Sequence, residues 1–133
     1  EEKAGRTISE IFDSEGESQF RAMEKALIAT GLPEYACVVS CGGGLPVAEG
    51  MMELLKSKGV VVALFASVNS ILERTARTDN RPLLQVSNPE EKIRDLLNVR
   101  TPIYLDSDVS ISTDERSTSE IVNSIIRAYK QHC

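Results

Sequence analysis

The 133-residue chain has the length of one domain with one hydrophobic core, and its 41% hydrophobic and 26% charged residues are ordinary for a globular protein. Its formal net charge of −5 argues against a nucleic-acid-binding protein, which usually presents a basic surface. No apolar run approaches the roughly 18 residues that span a bilayer, and none resembles a signal peptide, so we expect a cytoplasmic protein without a membrane partner.

Two helices are predicted at the start of the chain. The sequence Thr7-Ile8-Ser9-Glu10 fits a capping box, so a short helix begins there and ends near Gly16. Apolar residues at helical spacing predict a second helix over Glu17–Thr30, which Gly31 ends. We interpret the paired acids at the junction, Glu15 and Glu17, as helix caps.

A glycine-rich stretch follows a short apolar run. The β-branched run Ala36–Ser40 predicts a buried strand of a parallel sheet, and the residues after it are Gly42, Gly43 and Gly44. One or two glycines suffice for a tight turn, so three favour a loop that a ligand approaches closely, beyond the carboxyl end of a strand. Two cysteines are predicted to be small buried residues, namely Cys37 within this run and Cys41 directly after it.

From residue 46 onward, predicted helices alternate with predicted strands. The helices are Pro46–Lys58, one capped by Ser67, one beginning at Ser87 or Asn88, and one from Ser117 or Thr118 to Gln131. The strands are Val60–Phe65 and Val109–Thr113. Strands separated by helices indicate an α/β fold with a parallel sheet, and the polar stretch over residues 75–87 predicts a surface loop.

Arginines are the candidate binding residues. A guanidinium group suits carboxylate and phosphate oxygens, although any single arginine is more often a solvated surface charge. Arg81 differs because it lies in a long polar loop of the kind that closes over a phosphate. We find no catalytic triad, zinc cluster or C-x-x-C pair, and we expect no metal ligand in this chain. The residues alone therefore predict an α/β protein that binds an anionic small molecule.

Over essentially its whole length, the sequence resembles the shikimate kinase family. The matching segments are Gly5-Arg6-Thr7-Ile8, Glu10-Ile11-Phe12, Gly16-Glu17, Phe20-Arg21 with Glu24, Gly42-Gly43-Gly44, Arg81-Pro82-Leu83-Leu84, and Arg100 with Pro102 and Tyr104. The resemblance implies the three-layer α/β/α P-loop kinase fold with strand order 2-3-1-4-5, in a single domain over residues 1–133. It also implies transfer of the γ-phosphoryl group of MgATP to the 3-hydroxyl of shikimate.

The resemblance assigns substrate-binding roles to matching residues. Arg21 and Arg100 are implied to grip the shikimate carboxylate, and Glu24 to hold both arginines in place. The triple glycine is implied to let the shikimate ring approach the sheet edge.

Nucleotide-binding roles follow in the same way. Arg81, on a lid over residues 76–87, is implied to cover the ATP phosphates and to act in catalysis. Arg74 and Arg116 are implied to sandwich the adenine. The resemblance also implies a monomeric protein in the cytoplasm, or in the plastid if the source is a plant.

The family's phosphate-binding motif, G-x-x-x-x-G-K-[ST], and its Asp-x-Asp motif do not occur in these 133 residues. The chain opens at Glu1 without an initiator methionine. We therefore expect it to be part of a longer kinase whose first quarter is missing from these 133 residues. The first two strands and most Mg²⁺ ligands would then be missing, and the chain alone would be inactive and would not melt cooperatively. The alternatives are a non-catalytic shikimate-binding protein and another small-molecule P-loop kinase.

Overall fold

The computed structural model describes residues 1, 4–76 and 86–133, so Arg81 and most of the predicted lid lie outside the described residues. The chain divides into two compact units, Glu1–Ser57 and Lys58–Cys133. The helices are α1 (Ile8–Thr30), α2 (Met51–Lys58), α3 (Val68–Thr75), α4 (Pro89–Tyr104) and α5 (Thr118–His132). The strands are β1 (Val62–Phe65) and β2 (Val109–Ser112), and a 3₁₀ turn covers Leu45–Val47.

The first unit begins with the capping box that the sequence predicts. The Thr7 hydroxyl accepts from the backbone N–H of Glu10, whose carboxylate accepts from the backbone N–H of Thr7. Helix α1 kinks at Gly16, which has φ 80° and ψ 173°, so the predicted break between two helices is confirmed. The helix ends where the N–H of Gly31 donates to Leu27.

The core of the first unit joins α1 to the segment that follows the glycines. Ile28, Leu45 and Met51 are each at most 5% exposed and form one cluster. Partly buried side chains pack around it: Leu32, Ala48, Leu54 and Leu55. Burial of Leu45 therefore holds the residues beside it against the face of α1.

The second unit contains a parallel pair of strands with Val62 opposite Val109 and Phe65 opposite Ser112. The predicted α/β class with a parallel sheet is confirmed. Helices α3 and α4 pack together, and α5 packs on β2. Within this unit Ile93 and Ile111 are buried, and Phe65 meets the Tyr104 ring edge-on.

Three sequence predictions about residues 36–58 are wrong. Ala36–Ser40 form no strand and are exposed, with Val38 fully exposed, because nothing among the described residues supplies a ladder partner. The two cysteines at 37 and 41 are exposed for the same reason. The helix predicted from Pro46 begins only at Met51, because Gly50 has a φ of 72° that interrupts helical geometry.

Candidate functional site

Arg21 lies between two carboxylates on one face of α1. Its Nη1 donates to Glu24 at 2.5 Å and its Nη2 donates to Glu17 at 3.4 Å. Residues three and four positions apart are neighbours on a helix, so the sequence spacing alone brings these charges together. The side chains of Arg21 and Glu24 are 20% and 19% exposed, whereas Glu17 is 54% exposed. These two contacts fix the position of the guanidinium group on α1.

Aromatic rings support the same arginine. The Arg21 Cζ atom lies 5.2 Å from the centroid of the Phe20 ring, within the range of a cation–π interaction. The Phe20 ring in turn packs against Phe12, with centroids 5.0 Å apart. The sequence alone assigns no role to these rings, and it predicts only a helix cap at Glu17. Its i,i+4 spacing from Arg21 is the signal that could have revealed the pairing.

Gly44 is in close contact with the Arg21 guanidinium group. A Cβ atom built on Gly44 would lie 2.2 Å from Nη2 and 2.7 Å from Cζ. At Gly42, by contrast, an added Cβ would meet nothing within 4 Å, and Gly43 is exposed. The predicted close approach at the triple glycine is therefore found at Gly44, where the approaching group belongs to the chain itself.

An open pocket of about 430 Å³ lies beside this contact. Arg21 and Gly44 line it together with polar and small apolar neighbours, namely Glu17, Ser18, Val47 and Ala48. The pocket thus offers a fixed cation, a hydroxyl and an apolar wall together with the Glu17 carboxylate that pairs with the cation, and the arginine is the group that suits a small polar anion.

Cys41 lies close enough to this site to experience its charge. Partial desolvation, and secondly the negative charge of Glu24, raise the pKa of the Cys41 thiol above its ordinary value. The thiol therefore stays protonated at neutral pH, and the site contains no thiolate nucleophile at this position.

Arg74 is tied to the carboxyl end of β2. Its Nη1 donates to the Thr113 hydroxyl at 2.9 Å, and its Nη2 donates to the Thr113 carbonyl at 3.2 Å. The buried Thr113 hydroxyl donates in turn to the Phe65 carbonyl at the end of β1. These bonds hold Arg74 at the edge of the sheet where α/β proteins bind ligands.

Asp114 follows directly and joins the same edge to α3. Its carboxylate accepts from the Ser67 backbone N–H at 3.0 Å. A hydrogen bond from the Ser70 hydroxyl, and next the one from the Ser67 backbone, lower the pKa of Asp114 below its ordinary value. The carboxylate is therefore ionised through the whole neutral range.

Arg116 is also engaged within the protein. Its Nη1 donates to the Ser112 carbonyl at 3.1 Å, and its Nη2 donates to the Glu120 carbonyl and to the Ser124 hydroxyl. Internal hydrogen bonds thus hold both the Arg74 and the Arg116 guanidinium groups, whose planar faces can stack on a flat base.

Two predicted site residues take no part in the contacts described above. Arg100 is half-buried on α4 and makes no hydrogen bond or ion pair among the described residues. Arg81 lies outside the part of the chain that the structure describes. The structure therefore brings Arg21, Glu24 and Gly44 together, and it leaves the roles of Arg81 and Arg100 as predictions.

Two further features are absent from residues 1, 4–76 and 86–133. None of the helices there is long and apolar enough to cross a membrane. No three His, Cys, Asp or Glu side chains in those ranges are grouped as metal ligands.

Comparison with known proteins gives consistent results. The family model described as shikimate kinase matches residues 1–130. The shikimate kinase of Thermodesulfovibrio yellowstonii is 43% identical over 131 residues, covering 98% of this chain and 76% of that protein. The shikimate kinase of Thermus thermophilus is 41% identical, covering 99% of this chain and 72% of that protein.

A solved structure is similar as well. It is the shikimate kinase from Acinetobacter baumannii in complex with shikimate, and it is 38% identical to this chain with a TM-score of 0.90. The match covers 98% of this chain and 74% of that one. Sequence and fold thus agree over nearly all of these 133 residues, and the chain belongs to the shikimate kinase family.

Proposed function

We propose that the pocket beside Arg21 binds the carboxylate of shikimate in an ATP-dependent shikimate kinase, which phosphorylates the 3-hydroxyl of that substrate. The observation that carries the proposal is the half-buried guanidinium group of Arg21, fixed by Glu24 and Gly44 at the wall of an open pocket. The similar structure from Acinetobacter baumannii is a complex with shikimate, which supports the same ligand here.

Hydrogen-bond counting is compatible with a carboxylate ligand. A guanidinium group has five N–H donors, and Arg21 uses one on Glu24 and one on Glu17. Three N–H groups remain, and they include one on each terminal nitrogen. A carboxylate can accept two parallel bonds from such a fork, which gives both affinity and orientation.

Phosphoryl transfer depends mainly on positioning the two substrates and on neutralising charge. In this proposal Arg21 orients the acceptor, and the lid residue Arg81 stabilises charge on the transferred group. Arg100 is kept as a second contact of the shikimate carboxylate, on the basis of the family resemblance alone.

Arg74 and Arg116 fit a nucleotide base, because hydrogen bonds within the protein hold their guanidinium groups in place and the planar faces can stack. No three His, Cys, Asp or Glu side chains are grouped among the described residues, and Mg²⁺ is typically bound by one or two carboxylates plus substrate phosphates, so these residues alone do not identify its ligands. We therefore assign no step to the metal. The motif that would hold the ATP phosphates does not occur in these 133 residues, so activity is measured on the protein expressed from its full coding sequence.

We further propose the family strand order 2-3-1-4-5 for the complete three-layer sheet. The parallel pairing of β1 with β2 supports it, since these strands correspond to the adjacent fourth and fifth strands. A cytoplasmic monomer remains our prediction from the sequence, and analytical ultracentrifugation measures the oligomeric state.

Isothermal titration calorimetry of shikimate into the wild-type protein and an Arg21→Ala variant tests the carboxylate contact. We expect about 100-fold weaker shikimate binding, since two hydrogen bonds to a charged group are lost, and unchanged ATP binding. Arg94→Ala is the matched control, because Arg94 pairs with Glu90 on an exposed face of α4. Equal shikimate affinity in Arg21→Ala and wild type would refute the assignment. Shikimate binding without ATP binding, in the protein expressed from its full coding sequence, would favour the non-catalytic alternative.

A further inference from the structure

We propose that Gly44 is a positioning residue for Arg21, and that its lack of a side chain provides the space in which the guanidinium group lies. This inference rests on the proposed function, because it explains how the shikimate-binding arginine is oriented. It differs from the expectation that the triple glycine serves only the approach of the substrate ring.

The backbone conformation of Gly44 does not explain why glycine is present. Gly44 has φ −84° and ψ −23°, a conformation that every L-residue adopts readily. Among the described glycines, those with positive φ are Gly5, Gly16 and Gly50. The requirement at position 44 is therefore one of space and not of backbone freedom.

The space at Gly44 is occupied by Arg21. A Cβ atom at position 44 would lie 2.2 Å from Nη2, 2.7 Å from Cζ and 3.1 Å from Nη1. All three nearest atoms belong to that one guanidinium group. An alanine at position 44 would thus meet the functional end of Arg21 before any other group.

Neighbouring contacts keep Gly44 in place. Leu45 is 5% exposed and is buried against Ile28, which lies two helical turns after Arg21 on α1. The Gly44 carbonyl accepts from the Val47 N–H at 3.3 Å within the 3₁₀ turn. Because the burial of Leu45 and the hydrogen bond from Val47 both anchor the backbone at position 44, the guanidinium group is the part that would move.

The displacement can be read from the distances. Ordinary van der Waals contact begins at about 3.4 Å, so Nη2 would have to retreat by more than 1 Å from the 2.2 Å position. A shift of that size moves Arg21 relative to Glu24 and to the pocket. Misplacement of a binding group by about 1 Å commonly weakens binding or rate by an order of magnitude or more.

Steady-state kinetics of Gly44→Ala test the idea in the protein expressed from its full coding sequence. We expect the KM for shikimate to rise about tenfold, with the KM for ATP unchanged. The matched control is Gly59→Ala, where the same methyl group meets nothing within 4 Å and φ is not positive. A shikimate KM equal to wild type in Gly44→Ala would overturn the inference.

The double variant Gly44→Ala/Arg21→Ala separates positioning from direct contact with the substrate. If Gly44 acts through Arg21, the double variant binds shikimate no more weakly than Arg21→Ala alone, because the group that needed the space is gone. If the added methyl group instead blocks the substrate ring, the two losses multiply, and that result would overturn the inference.

A crystal structure of Gly44→Ala provides a measurement that does not depend on activity. We expect the Arg21 guanidinium group to shift by more than 1 Å while the backbone at residues 42–45 stays in place. A shifted backbone with Arg21 unmoved would contradict the positioning role. If Arg21→Ala alone leaves shikimate binding unchanged, the proposed function fails, and this crystal structure then decides the role of Gly44 separately.

Discussion

Replacing Gly16 by alanine should destabilise the protein through backbone strain alone. Gly16 interrupts α1 with φ 80° and ψ 173°, a region of backbone space that is almost restricted to glycine. A Cβ atom at this position would meet nothing within 4 Å, so the substitution causes no side-chain clash. The kink also sets the direction of the following helical segment, which carries Arg21.

The size of the effect follows from two opposing terms. Forcing a non-glycine residue into this conformation costs about 1–3 kcal/mol. Alanine also restricts the unfolded chain more than glycine does, which offsets the cost by about 0.4–1 kcal/mol. We therefore expect the free energy of unfolding of Gly16→Ala to fall by about 1–2 kcal/mol.

Urea unfolding of Gly16→Ala and Gly59→Ala, each in the protein expressed from its full coding sequence, measures this strain. Both variants add one methyl group in open space, but only Gly16 has positive φ, so the difference between them should be about 1–3 kcal/mol. The shikimate KM of Gly16→Ala should also rise, because the helical segment carrying Arg21 is redirected. Unfolding free energies of the two variants within about 0.5 kcal/mol of each other would refute the strain argument.

Three further predictions concern single side chains. Thr113→Val removes a buried hydroxyl with two hydrogen bonds and should lower the free energy of unfolding in urea by about 1–2 kcal/mol. Thr113→Ser should retain most of the stability, and equal losses in the two variants would contradict this prediction. Because hydrogen bonds lower the pKa of Asp114 in the folded state, its contribution to stability is present above the ordinary value of 3.8 and is lost as the pH falls further. Asp114→Asn should therefore weaken the acid dependence of unfolding, and an unchanged profile would count against the bonds. Glu24→Gln should raise the shikimate KM about five- to tenfold, since a neutral amide holds Arg21 less firmly, while Glu90→Gln on an exposed pair should not.

Four helix N-termini could be predicted because their causes are local, whereas the sequence predicts the start of α2 too early, at Pro46. The predicted caps Thr7, Ser67 and Asn88 each accept the expected backbone N–H, and Ser117 completes a second capping box. A capping bond joins residues three positions apart, so the sequence contains all the information that it needs. The same reasoning explains the confirmed break at Gly16.

The error at Ala36–Ser40 has a non-local cause. A β-branched apolar run indicates that a strand can form, but the strand exists only where a neighbour supplies ladder hydrogen bonds. Among the described residues none pairs with this segment, and Val38 is fully exposed. Composition could not reveal that absence, and the burial predicted for the two adjacent cysteines failed with it.

The candidate site contains contacts of both kinds, local ones and a non-local one. Glu17, Arg21 and Glu24 come together through helical spacing, so the sequence determines this ion cluster before tertiary structure forms. The contact between Arg21 and Gly44 joins residues far apart in the chain and depends on the burial of Leu45. A glycine-rich loop in a sequence indicates that some group comes close, but it does not identify that group.

The contact between Gly44 and Arg21 adds a second constraint on which residue can occupy position 44. If glycine were needed only for a substrate ring, variation at position 44 would alter the fit of the substrate and leave the free protein unchanged. Because the Arg21 guanidinium group fills this space, the constraint acts through the protein itself. In the proposed function, a substrate carboxylate would meet a guanidinium group whose position is set by Glu24 and by the backbone at Gly44, so that less conformational freedom would be lost on binding.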